Sequence, residues 1–174
     1  MSTIVHMSKT YSIVNVSVND REYLDSSLDV IMKGLEDIYC KFNFDNNNGN
    51  RKRVDNLIKK SLEVPEGALL LAKADQGIIG YSFSGKRVNE ITGLNYPFIY
   101  ALWVHPDWRA KYVGVRLLGK TIQLLEERGF NMMAAQVNYN NKIKETFAPR
   151  FKFEPNSLIY TLSIANKKEN EIDS

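Results

Sequence analysis

The chain has 174 residues, of which 44% are hydrophobic and 25% charged, and this ordinary composition excludes a wholly disordered or low-complexity protein. Its formal net charge of +3 permits an anionic ligand but disfavours a dedicated nucleic-acid-binding protein, which would need a dense basic face. One cysteine and two histidines exclude an internal disulfide and a cysteine zinc cluster, and we expect no metal site.

The first part of the chain predicts one strand followed by two helices. Residues 11–18 alternate apolar and β-branched with polar positions, as in a half-buried strand. Asn19 fits the N-cap of a helix over about 20–41, whose apolar residues recur at three- and four-residue spacing. The Asn-rich segment 44–53 predicts a loop, and a second helix is expected over about 53–63.

The middle of the chain predicts a hairpin, a central strand and a third helix. Residues 68–74 and 77–85 flank a short turn, and a polar connection over 86–96 follows. Residues 97–104 are strongly apolar, as in a buried strand. A helix is expected over about 113–128, with Gly129 at its C′ position. Its predicted buried stripe is Val115, Leu118, Ile122 and Leu125.

The last part predicts a strand over 131–139, a short helix over about 141–148 that stops at Pro149, and a hairpin that ends with 157–164. The whole order of elements predicts one α/β domain over residues 1–164 on a mixed sheet. We expect the polar tail 165–174 to be disordered. No apolar run reaches the ~20 residues of a membrane span, and the N-terminus lacks the pattern of a secretory signal, so we expect a cytoplasmic protein.

The segment after the central strand carries the clearest chemical signal. Arg109, Lys111, Gly114 and Arg116 lie at the start of the helix at 113–128. The first N–H groups of a helix have no intrahelical partner and the helix dipole is positive there, so this pattern predicts an anion site. The alternative is an ordinary strand-turn-helix whose cations are solvated.

This segment resembles the acyl-coenzyme A binding motif of the GNAT N-acyltransferase superfamily, [RQ]-x-x-G-x-[GA]. The motif stands here as Arg109-Ala110-Lys111-Tyr112-Val113-Gly114. Gly80 lies where the family often has a glycine on a strand, Asn141 begins the short helix, and Phe153 matches a Gly-Phe pair in which Lys152 replaces the glycine. The order of elements from residue 11 to residue 164 also agrees with the family.

The resemblance implies a GNAT-like mixed, mostly antiparallel central sheet with helices on both faces, and acetyl-CoA as cosubstrate. It implies that the strands at 97–104 and 131–139 splay apart. The pantetheine arm would pair with backbone groups of Leu102, Trp103 and Val104. Asn141 would contact the end of the pantetheine. The pyrophosphate would lie on the backbone around the start of the helix, at Ala110, Lys111, Tyr112, Val113, Gly114 and Val115.

The sequence departs from the family pattern at several positions. Tyr112 replaces the first motif glycine, and it is strained if that position needs a positive φ. Its ring either covers the diphosphate or stacks on the adenine, or else it is a surface tyrosine with no ligand role. The positions that often hold a catalytic tyrosine and glutamate are Ala148 and Gln136.

Other residues could supply the missing chemistry. Tyr139 and Tyr100 could each place a phenol near the thioester, and Gln136 could orient a water or an amine, although an amide does not accept a proton as a carboxylate does. Tyr139 could equally be a strand-end aromatic, and Tyr100 a pocket wall. His105 and Asp107 could be interpreted as a dyad, but a turn next to Pro106 is the simpler interpretation.

Three functions are compatible with these residues. The first is an N-acetyltransferase that uses acetyl-CoA and a primary amine of a small molecule or protein, with an acceptor groove between 42–53 and 86–96. The second is a catalytically degenerate member of the fold that acts as a binding or structural module. The third acts on nucleic acid, which the modest net charge disfavours. A homodimer is compatible with all three. If Arg51, Lys52, Arg53, Lys86 and Arg87 converge on the groove, they favour an acidic or phosphorylated acceptor.

Overall fold

The computed structural model describes residues 10–39, 44–109, 111–136, 145 and 149–154. The chain divides into two compact units, residues 1–138 and 139–174. In chain order, the helices and strands of the first unit are β1 (Ser12–Val16), α1 (Arg21–Tyr39), α2 (Asn48–Leu62), β2 (Ala68–Ala74), β3 (Gly77–Val88), β4 (Asn95–Val104), α3 (Val113–Glu127) and β5 (Ala134–Ala135). Cys40, the strand predicted at 157–164 and the tail at 165–174 lie outside the described residues. The single domain over 1–164 stays a prediction.

The five strands form one sheet in the order β1-β2-β3-β4-β5. Neighbours from β1 to β4 are antiparallel, and β5 is parallel to β4. The tight turn between Ala74 and Gly77 makes β2 and β3 antiparallel, whereas the connection through α3 allows β5 to lie parallel to β4. The predicted mixed, mostly antiparallel sheet is confirmed.

Helices cover both faces of the sheet, because alternate residues of each strand point to opposite sides. Leu69 and Leu71 of β2 pack in one core with apolar residues of α1 and α2. Leu70 and Ala72 pack in a second core with Val113 and other residues of α3. The sheet is therefore buried on both sides, as was predicted.

Helix α2 begins earlier than predicted, and α1 follows Asp20 instead of the expected cap, Asn19. Helix α1 begins at Arg21, directly after Asp20, whose carboxylate accepts the N–H of Ser17 at 2.7 Å. Helix α2 begins at Asn48, so the loop predicted over 44–53 is wrong from that residue onward. The cause is Asn47, whose side chain accepts the N–H of Asn50 at 2.9 Å and so caps the helix. The asparagine cluster therefore initiates a helix.

The hairpin of β3 and β4 is longer than predicted. The connection expected over 86–96 is reduced to residues 89–94, because β3 continues to Val88 and β4 begins at Asn95. The side chain of Asn89 accepts the N–H groups of Ile91 and Thr92, each at 3.0 Å. These bonds close a tight turn, which allows the strands to remain paired up to its ends.

Helix α3 has the predicted position but a rotated buried face. Gly129 follows its end with φ +88°, which confirms the expected C′ glycine. Of the predicted stripe, Leu118 and Leu125 are buried, whereas Val115 and Ile122 are only partly buried. Thr121 takes a buried place because its hydroxyl oxygen lies 2.8 Å from the Ser82 hydroxyl and 2.9 Å from a carbonyl oxygen of α3. The buried residues are Val113, Leu117, Leu118, Thr121 and Leu125.

In the part of 131–139 that the structure describes, only Ala134 and Ala135 are in a strand, so the strand is shorter there than predicted. The described residues of the second unit are few. Residues 149–151 are helical, so the helix does not stop at Pro149 as predicted. Lys152 follows with φ +56°.

Candidate functional site

Strand β4 contains an extra residue at its centre. The register pairs Phe83 of β3 with Ala101 and the next residue, Ser84, with Ile99, so Tyr100 has no partner on β3. A β-bulge of this kind bends its strand and increases the local twist. Strand β5 pairs with Phe98 and Ile99 only, which lie immediately before the bulge.

The bulge lies where the resemblance implies an opening between β4 and β5. Within the described residues, the pairing of β4 with β5 ends at Ile99, and the stretch from Ala101 to Val104 is paired with β3 alone. Leu102, Trp103 and Val104, predicted from the resemblance to bind pantetheine, belong to this stretch. No strand in the described part of the chain pairs with the other side of this stretch, and such a side can accept an extended ligand by strand addition.

The start of α3 presents backbone donors that the helix itself does not use. The helix begins at Val113, and the first backbone bond back into its cap runs from the N–H of Arg116 to the carbonyl oxygen of Tyr112, at 2.9 Å. The N–H groups of Val113, Gly114 and Val115 precede this bond and so lack intrahelical partners. Tyr112 makes no side-chain capping bond. This is the geometry of a helix N-terminus that can bind a phosphate.

Tyr112 occupies the left-handed conformation that glycine would favour, with φ +59° and ψ +8°. The sequence predicted strain at this position if φ were positive, and the structure has that sign. The residue is 66% exposed, so its ring is not packed into the protein. The residues present therefore fit a diphosphate, even though a tyrosine stands where the motif has a glycine.

The three cations of the motif region contact protein groups. Arg109 donates from Nε to the carbonyl oxygen of Val104 at 3.0 Å. Lys111 donates from Nζ to the carbonyl oxygen of Asp107 at 2.6 Å, and the guanidinium of Arg116 lies 5.6 Å from the ring centroid of Tyr11. Each of these contacts uses at most one N–H group, so all three side chains keep further N–H groups that can bind an anion at α3.

A carboxylate that the sequence analysis missed lies at the end of β4. Asp37, on the last turn of α1, accepts the indole N–H of Trp103 at 2.8 Å. The same Oδ2 atom lies 3.7 Å from Nη2 of Arg109. The sequence does contain a signal for Asp37, because Glu36 and Asp37 stand near the C-terminus of α1, where the helix dipole favours cations.

Two phenols meet around the bulge. Tyr100 donates its hydroxyl to the carbonyl oxygen of Lys86, and Tyr39 donates its hydroxyl to the carbonyl oxygen of Tyr100, both at 3.0 Å. Burial raises the pKa of each phenol, and the charge of Arg87 acts in the opposite direction on both. Both are neutral at pH 7, with their protons directed at backbone carbonyls.

The other predicted catalytic residues are only partly described. Gln136 follows β5 directly and is exposed. Because Ile99 pairs with Ala135, the next residues of the two strands are Tyr100 and Gln136, so the backbone brings this pair to the start of the opening. Ala110, Tyr139, Asn141 and Ala148 lie outside the described residues.

The His105 and Asp107 pair forms a turn. The N–H of Asp107 donates to Nδ1 of His105 at 3.3 Å, and the two side chains are 3.7 Å apart at their closest ionisable atoms. The pair thus caps the 3-10 turn Pro106–Trp108 between β4 and α3. Among the residues that the structure describes, no group of three or more His, Cys, Asp or Glu side chains could hold a metal ion. No described helix is long and apolar enough to cross a membrane.

Comparison with known proteins adds a family match. The model of the acetyltransferase (GNAT) family matches residues 32–153. This range contains the bulged strand, the start of α3 and the whole motif. A comparison with curated proteins found no match.

Several solved structures share the fold. Aminoglycoside N-acetyltransferase AAC(6')-Iy in complex with CoA is 15% identical, with a TM-score of 0.66 over 92% of this chain and 98% of that chain. The aminoglycoside acetyltransferase meta-AAC0020 from an uncultured soil metagenomic sample is 20% identical, with a TM-score of 0.63 over 88% and 97%. Ribosomal-protein-alanine N-acetyltransferase from Brucella melitensis biovar Abortus 2308 is 13% identical, with a TM-score of 0.58 over 88% and 99%. At these identities the similarity concerns the fold alone.

Proposed function

The chain belongs to the acetyltransferase (GNAT) family, and from this premise we propose that it is an N-acetyltransferase that moves an acetyl group from acetyl-CoA to a primary amine. The acceptor is a small molecule or a protein. The observation that carries the proposal is the continuity of two binding surfaces in one segment. The side of β4 that no described strand covers leads from Ala101 to Val104 and, through a short turn, to the N–H groups at the start of α3 that lack intrahelical partners.

The proposed cosubstrate site consists mainly of backbone. Leu102, Trp103 and Val104 would pair with the pantetheine arm, while the N–H groups at Val113, Gly114 and Val115 would hold the diphosphate. Ala110 and Asn141 remain part of this proposal from the resemblance. Acetyl-CoA supplies an activated thioester: the C–N bond to the amine forms as the C–S bond breaks, the amine loses a proton, and the CoA thiol is released.

Three residues are proposed around the reacting groups. Tyr100 already uses its proton on a backbone carbonyl, so its oxygen offers lone pairs that can orient the N–H groups of an amine. Gln136 can orient the amine or a water. Tyr139 is the remaining phenol that could return a proton to the leaving thiolate. General acid–base catalysis contributes about 10²–10⁴-fold, so positioning alone would still leave measurable transfer.

A second function is favoured by one observation. Tyr112 is a non-glycine residue in a left-handed conformation at a motif glycine, and the positions that often hold a catalytic Glu and Tyr hold Gln136 and Ala148. A protein that binds CoA without transferring an acetyl group would tolerate these changes. This alternative predicts CoA binding with no thiol release from acetyl-CoA, whatever amine is added.

The test combines calorimetry of CoA binding with a thiol-release assay over a panel of amines. In Val115→Glu a carboxylate is placed among the free N–H groups of α3, and we expect CoA affinity to fall by about tenfold or more. The matched control is Gln123→Glu, which makes the same change of charge on an exposed position of α3, and we expect less than about a twofold effect. Equal affinities in the two variants would place the diphosphate elsewhere.

Two further expectations belong to this proposal. The cytoplasmic location stays a prediction that fractionation of the source cells would check. The oligomeric state is measured by sedimentation, in which a homodimer has twice the 20.0 kDa mass of the chain.

A further inference from the structure

Strand β3 places the guanidinium of Arg87 beside the bulge of β4. Arg87 lies near the end of β3, with its guanidinium carbon 4.3 Å from the ring centroid of Phe98. Phe98 packs edge-on against Tyr100 at 5.3 Å, and Phe98 is also one of the two residues of β4 that pair with β5. Arg87 therefore stands next to the point where the opening between β4 and β5 begins.

The charge of Arg87 has no acidic partner within the described part of the chain, where four ion pairs occur and none includes Arg87. Its side chain is exposed, although Phe98 below it is buried. Stacking on a ring holds the plane of a guanidinium but leaves its N–H groups at the edge free to donate. Arg87 is thus oriented and able to bind an anion.

The phenols next to Arg87 add hydrogen-bond acceptors to a surface that already has a cationic donor. The hydroxyl proton of Tyr100 is donated to a backbone carbonyl, so its oxygen keeps lone pairs for incoming N–H groups. The hydroxyl of Tyr39 donates to the carbonyl oxygen of Tyr100 beside it. Tyr39 ends α1 and Phe44, 6.4 Å from it, precedes α2, so this surface lies between the two segments that the sequence analysis assigned to an acceptor groove. Acceptors for N–H groups lie here beside a donor for an anion.

We propose that Arg87 binds a carboxylate on the acceptor, so that the preferred substrate is an amine that also carries a carboxylate group, such as an amino acid or an acidic peptide. This inference rests on the proposed acetyl transfer and names its substrate class. The planar guanidinium matches a carboxylate in bidentate geometry. A polyamine would bring further positive charge to the surface around Arg87. The repulsion between these charges would weaken the binding of the polyamine.

The test uses pairs of acceptors that differ only in the anion. Glycine and glycinamide, β-alanine and β-alaninamide, and phenylalanine and phenylalaninamide are compared for kcat/KM with acetyl-CoA. Phosphoethanolamine tests a phosphate in place of the carboxylate, and sisomicin tests a polyamine. We expect the carboxylate member of each pair to be preferred once its fraction of free amine is taken into account, and the polyamine to be the poorest acceptor.

Variants of Arg87 separate recognition from chemistry. In Arg87→Gln we expect KM for the carboxylate member to rise by about tenfold, whereas KM for its amide changes by less than about twofold. Arg87→Glu should reverse the preference in favour of sisomicin. The matched control is Lys73→Gln, which also removes a cation held over a ring, that of Tyr23 at 4.5 Å, but on β2. It should leave all ratios unchanged.

The failure of this inference differs from the failure of the proposed function. Transfer to amides and carboxylates alike, with Arg87→Gln changing both equally, would overturn the role of Arg87 while the acetyltransferase stands. A preference for phosphoethanolamine over every carboxylate would also overturn it. If no amine is acetylated, titration of phenylalanine into the CoA-bound protein measures the binding of a carboxylate independently of the transfer reaction. Binding that depends on Arg87 supports the anion site, and the absence of such binding refutes it.

Discussion

The indole N–H of Trp103 on β4 donates a 2.8 Å hydrogen bond to the carboxylate of Asp37 on α1. The same oxygen lies 3.7 Å from the guanidinium of Arg109, which also donates to the carbonyl oxygen of Val104. One carboxylate thus connects α1 with the end of β4 and with the first residue of the motif. Asp37 therefore holds the end of β4 from the side of the sheet that α1 covers.

We expect this connection to contribute to stability. Asp37→Ala leaves the partly buried indole N–H without its acceptor, and the free energy of unfolding should fall by about 1–2 kcal/mol. Asp37→Asn retains an oxygen acceptor and should lose less. Urea unfolding, followed by tryptophan fluorescence, measures both. Asp25→Ala, at an exposed position of the same helix, is the control, and its effect should stay below about 0.5 kcal/mol. Equal losses in the free energy of unfolding for Asp37→Ala and Asp25→Ala would show that the contacts of Asp37 do not stabilise the fold.

Tyr112 gives a prediction that separates strain from ligand binding. Because its φ is +59°, Tyr112→Gly removes a left-handed conformation that costs a non-glycine residue about 1 kcal/mol or more, while the added flexibility of the unfolded chain offsets about 0.5–1 kcal/mol. We expect stability to be unchanged or to increase. Tyr112→Val, with a β-branched side chain, should destabilise the protein.

The same variant tests the ring of Tyr112. If the ring covers the diphosphate or stacks on the adenine, Tyr112→Gly should weaken CoA binding by about fivefold to tenfold in calorimetry, since aromatic stacking contributes about 1 kcal/mol or more. If the tyrosine is only a surface residue, affinity should stay within about twofold, since the backbone N–H groups of α3 remain. A loss of stability in Tyr112→Gly would contradict the assignment of strain.

The sequence predicted those parts of the fold whose cause is local. Examples are the turn between Ala74 and Gly77 and the glycine after α3. At both places the residue types themselves favour the observed backbone conformation. The start of α2 was missed because Asn47 could equally belong to a loop or cap a helix, and its hydrogen bond to Asn50 decides between them. The rotated face of α3 depends on Ser82 of β3, which meets Thr121 only in the folded chain.

The candidate site also has local features that the sequence predicts and features that depend on residues distant in sequence. The motif from Arg109 to Gly114 predicts an anion site at the start of α3, and the sequence can carry this prediction because a helix N-terminus is a local feature. The bulge at Tyr100 could not be predicted, since it is a mismatch between two strands and depends on the register of both. Asp37 was not identified from the sequence, and Arg87 was named only as one of several cations. The role of each depends on its contact with a ring on β4 that is distant in sequence.

The close approach of α1 to the sheet depends on one glycine. A Cβ on Gly34 would lie 2.8 Å from Cγ of Trp103 and closer still to the hydroxyl of Tyr81, which donates to the carbonyl oxygen of Ile31 at 3.0 Å. Gly34→Ala should therefore destabilise the protein by about 1–3 kcal/mol, although alanine favours a helix by about 1 kcal/mol over glycine. Ser26→Ala, on an exposed turn of α1, should change stability by less than about 0.5 kcal/mol. Thermal unfolding of both variants checks the sign, and a stabilised Gly34→Ala would contradict the packing described.

Tyr81 makes stability depend on alkaline pH. Burial raises the pKa of its phenol above the ordinary value of 10.0, and the negative charges near it, from Tyr39 when ionised and from Asp37, act in the same direction. A phenol whose pKa is raised in the folded state binds its proton more tightly than in the unfolded chain. Its contribution to stability is therefore complete below the ordinary pKa and is lost as the pH rises above it, because only the unfolded state then releases the proton.

The measurement compares the wild type with Tyr81→Phe at about pH 7 and about pH 10.5 in urea. Tyr81→Phe should be less stable than the wild type at the lower pH, because the Ile31 carbonyl loses its donor. At the higher pH the difference between the two proteins should shrink, since the variant has no phenol to ionise at this position. Tyr96→Phe is the control, as its ring is partly exposed on β4, and its loss of stability with pH should match that of the wild type. A difference between Tyr81→Phe and the wild type that stays constant over the same pH range would show that the phenol of Tyr81 ionises equally well in the folded chain.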